Sequence, residues 1–171
     1  MLGNPAARYD PRRFNWIGGR SPDHFMCAIW SEAAATTIAG AREKSIVVGS
    51  TGAGSRTMSW PYALNELAGT KIRVVTGYPG GNEISMAMEK REVDGFCGWA
   101  ISAIRQRVAH WLAQDKLRFL AQFALEKHAD FPDVPLAMDL PATETGKRAM
   151  EFLASDSVLA WPMLAPPDTP A

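Results

Sequence analysis

The chain has 171 residues, 47% of them hydrophobic, which is enough for one domain with a buried core. Basic and acidic residues balance at 18 each, so no positive field draws a polyanion, and nucleic acid is excluded as a partner. No window approaches the roughly 18 consecutive apolar residues of a membrane-spanning helix. The start, Met1-Leu2-Gly3-Asn4-Pro5, lacks the basic and apolar regions of a signal peptide. Taken alone, that start reads as a cytoplasmic chain, or as a mature or truncated one.

In chain order, the opening segment up to Asn15 is rich in Pro, Arg and Asn and reads as irregular. Phe25–Trp30, an apolar run between polar turns, predicts a buried strand. Thr36–Arg42 suits one or two helical turns, and the β-branched run Ser45–Gly49 a strand stopped by glycine. Met58, Tyr62, Leu64, Asn65 and Leu67 then fall at roughly helical spacing, with Gly69 as C-cap and Pro61 predicting a kink or restart. Lys71–Thr76 reads as a strand, Glu83–Glu89 as a helix and Val93–Trp99 as a strand. Ile101, Ile104, Val108, Trp111 and Leu112 share one face of an expected single helix. Leu117–Leu125 is the next strand, Phe131–Pro135 a linker, and Thr143–Ala154 a helix capped by Thr143, Glu144 or Thr145. The tail Ala165–Ala171 is too rich in proline for regular structure.

Alternating strands and helices predict an α/β fold, a mostly parallel sheet flanked by helices. Right-handed crossovers place the strand-to-helix loops together at one sheet edge, where open α/β sheets bind ligands. Two of those loops stand out. In Gly49-Ser50-Thr51-Gly52-Ala53-Gly54-Ser55 the glycines let successive N–H groups face one point, and Ser50, Thr51 and Ser55 add hydroxyls. A helix starting near Ser55 adds its free N–H groups and dipole, which suits a carboxylate or a phosphate. Neither a Walker loop nor GxGxxG is present. Gly77-Tyr78-Pro79-Gly80-Gly81-Asn82 holds the equivalent place after the next strand, with Tyr78, Gly80, Gly81 and Asn82 at the same edge. Trp99, at a strand end, is placed to wall a pocket. The alternative for each loop is a glycine turn that holds nothing, and for Trp99 simple packing.

Little else carries chemistry. Asp94 and Glu92 read as solvated or capping residues. Neither a Ser-His-Asp nor a Cys-His arrangement nor a paired-carboxylate site presents itself, so a binding role is expected rather than an enzyme. His24, His110 and His128 lack metal-ligand spacing, and no cofactor motif is found. Cys27 and Cys97 are too far apart in sequence for a CxxC motif.

The blocks Tyr9-Asp10-Pro11-Arg12-Arg13-Phe14-Asn15-Trp16-Ile17-Gly18, Val47–Ser55, Gly77–Asn82, Gly95-Phe96-Cys97-Gly98-Trp99, Asp133-Val134-Pro135 and Ala165–Ala171 resemble the tripartite tricarboxylate transporter receptors (TctC, or Bug, proteins). The resemblance implies a two-lobed periplasmic solute-binding protein that passes a small carboxylate to a membrane permease without catalysis. It assigns Ser50, Thr51, Gly52, Ala53, Gly54, Ser55, Tyr78, Gly80, Gly81 and Asn82 to loops that hold a ligand carboxylate, and Trp99, from its place at a strand end, completes the expected ligand site. It also implies that residues 25–130 form the second lobe, 1–24 a remnant of the first lobe or a hinge, and 131–171 the return to the first lobe. On this pattern the chain is expected to be truncated at both ends, with its exposed lobe interface open to self-association. In an oxidising periplasm Cys27 and Cys97 are either a disulfide or two buried thiols. The competing functional readings are a small α/β enzyme or nucleotide binder using the Gly49–Ser55 loop on phosphate, and a lobe that binds no ligand.

Overall fold

In the computed structural model, residues 9–19, 23–158 and 162–169 are described. Five strands form the main sheet: β2 (Phe25–Trp30), β3 (Ile46–Ser50), β4 (Ile72–Thr76), β5 (Gly95–Ala100) and β6 (Leu117–Phe123). Their order is β4-β3-β5-β2-β6. Strands β4 and β5 run parallel to β3, whereas β2 is antiparallel to both β5 and β6. Four strands therefore point one way, with β2 reversed between them.

Helices cover both faces, and β2 shows how the sequence directs this. Its side chains alternate with the period of two that a strand imposes. Phe25, Cys27 and Ile29 enter one core, with Trp60 and Leu64 of α2 (Arg56–Ala68). Met26, Ala28 and Trp30 enter the other, with Ile84 and Met88 of α3 (Gly81–Glu89) and Ile101 and Ile104 of α4 (Ile101–Arg107). A strand buried on both sides has no polar face, which is why this run is apolar throughout. Helix α1 (Ile38–Glu43) sends Ile38 and Ala41 into the first core.

Helix α2 buries Thr57, Trp60, Pro61, Leu64 and Ala68, one stripe at helical spacing, and runs through Pro61 without restarting. It ends on Gly69, whose φ of 72° is the left-handed cap that glycine adopts freely. The single helix expected over Ile101–Leu112 is two. Val108 leaves helical geometry (φ −131°, ψ 32°) between α4 and α5 (Ala109–Ala113). The β-branched Val108 is a weak helix former. The break leaves Ile104, Val108 and Trp111 all buried in the second core, where the Trp111 ring lies 4.6 Å from that of Trp30.

Beyond β6, α6 (Glu144–Ala154) is capped by Thr143, whose Oγ1 accepts from Gly146 N at 3.1 Å. Ala137 and Met150 belong to the same core as Ile29 and Leu64, so packing continues across the 130/131 boundary. The first and last described segments also hold regular structure that the sequence did not announce. Strand β1 (Asn15–Gly19) pairs antiparallel with β7 (Pro162–Ala165) in a separate two-stranded sheet. Ala165, expected in an irregular tail, is thus the last residue of a strand, and Pro11–Arg13 forms a short 3-10 turn. Backbone pairing satisfies these segments where their side chains give little pattern. The expectations for residues 1–8 and for Pro170 and Ala171 lie outside the described residues.

Cys27 and Cys97 are register partners on β2 and β5 and are joined in a disulfide in this structure. Both are fully buried. In chain isolated under oxidising conditions and denatured without reductant, neither thiol is expected to take up iodoacetamide, whereas both label after reduction. Two labelled cysteines before reduction would show free thiols instead.

Candidate functional site

The parallel strands β3, β4 and β5 end at one edge, where α2, α3 and α4 begin. Helix starts leave their first N–H groups without intrahelical partners. Those of α4 are already served: buried Asp23 accepts from Ser102 N at 3.4 Å and from the Ser102 hydroxyl. Ser55 and Gly80, which open α2 and α3, make no side-chain cap bond. These two helix starts are therefore left to attract an anion.

A cleft of about 910 Å³ lies there, with Thr51, Gly54, Ser55, Gly81 and Trp99 among its lining residues. That volume suits a small-molecule pocket. Five of the eleven expected site residues are thus brought together. Ser50, Gly52, Ala53, Tyr78, Gly80 and Asn82 are not in the lining, and each has a visible position. Ser50 is fully buried, and its Oγ accepts from Gly52 N at 3.1 Å. Ala53 is exposed in the loop between Gly52 and Gly54. Tyr78 packs on the second core and bonds through its N–H to Ser50 O at 3.3 Å. Gly80 is the N-cap of α3, and Asn82 accepts through Oδ1 from Arg107 Nη1. Trp99 lines the cleft, yet most of its surface is covered, with its ring stacked 4.4 Å from that of Phe96.

The loop hydroxyls behave differently from the expectation that they add donors for a ligand. Thr57 Oγ1 lies 3.1 Å from Ser50 Oγ, 3.2 Å from Thr51 Oγ1 and 2.7 Å from Ser55 Oγ. It also accepts from Thr51 N at 3.1 Å, and Ser55 Oγ donates to Gly52 O at 2.7 Å. The hydroxyls are turned toward one another and shape the loop, which leaves the helix-start N–H groups as its natural donors. Thr57 is the hub of that network and was not singled out from the sequence. A cluster of four hydroxyl residues between positions 50 and 57 was the available signal.

Two further residues escaped the sequence reading. Arg56, first residue of α2, lines the cleft with its guanidinium 4.0 Å above the Phe25 ring and 5.7 Å from that of Trp60. Such stacking holds a guanidinium in place while leaving its N–H edge available. Gly98 makes room for it, since a Cβ there would sit 2.7 Å from Arg56 Cγ. Arg107, the last residue of α4, lines the same cleft. Asp156, which also lines the cleft, reaches Arg56 at 3.1 Å.

Other sequence candidates fall elsewhere. Asp94 accepts from Val47 N at 2.7 Å and so ties β5 to β3, a structural duty. His24 and His128, distant in sequence, meet with ring centroids 4.9 Å apart. Partial burial, and then the charge of His24, lower the His128 pKa below 6.5. No cluster of three or more metal-ligating side chains occurs among the described residues, and no helix among them is long and apolar enough to cross a membrane.

No family model matches the chain, and no curated protein matches it. Solved structures do. A TctC solute-binding protein from Polaromonas, without ligand, aligns at 13% identity and a TM-score of 0.59, covering 94% of this chain and 65% of that one. MatC from Rhodopseudomonas palustris with bound malate aligns at 17% identity and TM-score 0.59, covering 90% and 58%. The periplasmic binding protein BugD aligns at 14% identity and TM-score 0.59, covering 87% and 56%. The chain therefore spans less than two thirds of the length of these proteins. In its fold, this α/β chain is similar to the TctC and Bug solute-binding proteins.

Proposed function

We propose that this chain is a lobe of a solute-binding protein that holds a small carboxylate, without catalysis, at the shared edge of β3, β4 and β5. The carrying observation is that Arg56 and Arg107 line the cleft onto which the uncapped starts of α2 and α3 open. Guanidinium groups and helix-start N–H groups are the donors a carboxylate needs. That MatC is solved with malate supports the same ligand class. On this reading the residues that touch the ligand come from Thr51–Arg56, Gly81, Trp99 and Arg107. Ser50, Thr57 and Tyr78 position the loop, and Asn82 positions Arg107.

The finer reading makes the chain part of the receptor of a tripartite tricarboxylate-type uptake system, working in the periplasm with a membrane permease. Residues 25–130 then carry the binding lobe, with 1–24 and 131–171 as the passages to the other lobe. Binding by this chain alone is expected to be weaker than by a two-lobed protein, because enclosure from both sides strengthens contacts.

A panel of small mono-, di- and tricarboxylates, some bearing amino groups, tests the reading by thermal shift and tryptophan fluorescence, since Trp60 and Trp99 line the cleft. A ligand at about 100 times its Kd adds about 2.7 kcal/mol, which raises Tm by about 5–10 °C in a chain of this size. Arg56→Gln is expected to weaken that ligand about 10- to 100-fold through loss of a charge-assisted hydrogen bond. A panel that leaves Tm and fluorescence unchanged overturns the proposal. Protection by a nucleotide or phosphoester alone would favour a phosphate site instead.

A further inference from the structure

His24 stands just before β2 and His128 in the segment after β6, so the antiparallel pairing of those strands brings their half-buried rings together. Hydrogen bonds fix where the protons sit. His24 Nε2 lies 3.0 Å from Glu126 O, and a carbonyl only accepts, so that nitrogen carries a hydrogen. His128 Nδ1 accepts from Asp130 N at 3.1 Å, so that nitrogen is bare and the ring is neutral. The backbone N–H of His128 is held in turn by Oε1 of fully buried Gln122 at 2.9 Å.

A second proton on His128 has to go to Nδ1. It removes the bond from Asp130 N and sets a positive charge beside His24. Among the described residues, the titratable or charged groups that face His128 are Asp23 and His24 before β2, Arg105 of α4, and Asp130 of its own segment. Burial first, then His24 and Arg105, lower the His128 pKa against the opposite pull of Asp130 and Asp23, which agrees with the bare nitrogen.

Both of those carboxylates are in use, and on one helix. Asp23 accepts from Ser102 N and from the Ser102 hydroxyl, and Asp130 accepts from Arg105 Nη2 one turn further along α4. The start of α4 also donates from Ile101 N to His24 O at 2.9 Å. On its other side the helix lines the cleft with Ser102, Ala103, Gln106 and Arg107. An imidazolium at position 128 competes with Ser102 and Arg105 for the two carboxylates. The Arg105–Asp130 pair yields first, because solvent screens it.

We propose that His128, set against His24, is a proton-sensitive latch on α4. When neutral, it leaves Asp23 and Asp130 to fasten the helix. When protonated, it draws those carboxylates away and loosens the wall of the cleft that Arg107 supplies.

Two ligand-free measurements on the 171-residue chain test the latch. A group whose pKa is lowered by folding costs stability as pH falls from its unfolded value, about 6.5 for histidine, toward its folded one. His128→Gln keeps an acceptor for Asp130 N and has no titrating ring. Between about pH 8 and pH 5 the parent Tm is expected to drop by about 3–6 °C more than that of His128→Gln. Over the same range, hydrogen-exchange protection of the Ile101–Arg107 amides, corrected for intrinsic rate, is expected to fall about fivefold more in the parent. Parallel melting profiles in the two proteins overturn the latch. Equal protection of α4 in both overturns its connection to the cleft. Neither readout involves a ligand, so failure here leaves the carboxylate reading standing.

Discussion

Gly95→Ala is expected to lower the melting temperature by about 6–12 °C, which corresponds to about 3 kcal/mol in a chain of this length. Gly95 opens β5 between two neighbours, opposite Ile29 of β2 and Val48 of β3. A Cβ there would stand 2.0 Å from Ala28 O, 2.7 Å from Ile29 Cα and 2.8 Å from Ile29 Cγ2. Two of those atoms are backbone in the middle of the sheet, so relief requires β2 and β5 to move apart. That movement would disturb the hydrogen bonds that seat β2 and the strand end that carries Trp99. Gly69→Ala is the contrast: φ is 72°, yet nothing lies within 4 Å of the added carbon. Its cost is backbone strain alone, about 1 kcal/mol. Thermal melts of both variants check the difference. Equal melting of Gly95→Ala and the parent would mean that the strands are not packed as described.

What the sequence revealed and what it concealed follow from the range of the forces involved. Short-range rules were enough for β2, whose unbroken apolar run needs both faces covered, and for Gly69, which ends α2. They were also enough to place the two glycine loops after adjacent parallel strands. Pairing between distant segments left no such trace. Strand β1 meets β7 through backbone hydrogen bonds, and side chains such as Trp16, Ile17 and Met163 remain exposed, so no alternation marked them. The meeting of His24 with His128 depends on β2 lying beside β6. Arg56 carried no signal of its own in the sequence. Its place became visible only once β2 supplied Phe25 and the turn after α6 supplied Asp156. The break at Val108 was hidden for the opposite reason, since the apolar spacing continues across it and the backbone alone departs.

Thr57→Val is expected to damage the site more than removal of any hydroxyl that was legible in the loop. Valine has nearly the shape of threonine, so core packing is kept while the hydroxyl is lost, and that swap is not conservative. Thr57 Oγ1 stands within hydrogen-bonding distance of Ser50 Oγ, Thr51 Oγ1 and Ser55 Oγ, and it accepts from Thr51 N. Ser50 is fully buried, so without Thr57 its hydroxyl has lost a neighbour that water cannot readily replace. Loss of the hydrogen bonds together with a poorly satisfied buried hydroxyl costs about 2–3 kcal/mol. That corresponds to a Tm lower by about 4–12 °C. The effect on binding follows from the same geometry. The turn from Thr51 to Ser55 aims the start of α2 into the cleft, and a turn that is no longer held presents its N–H groups in many directions at an entropic cost. Carboxylate affinity is expected to drop by more than about tenfold even where the variant is fully folded. Thr57→Ser restores the hydroxyl without the methyl and is expected to recover binding, with only a small loss of stability. Titration of the three proteins at a temperature where all are folded separates positioning from collapse. Normal binding by Thr57→Val would show that the loop holds its shape without this hub and that the ligand is gripped by Arg56 and Arg107 alone.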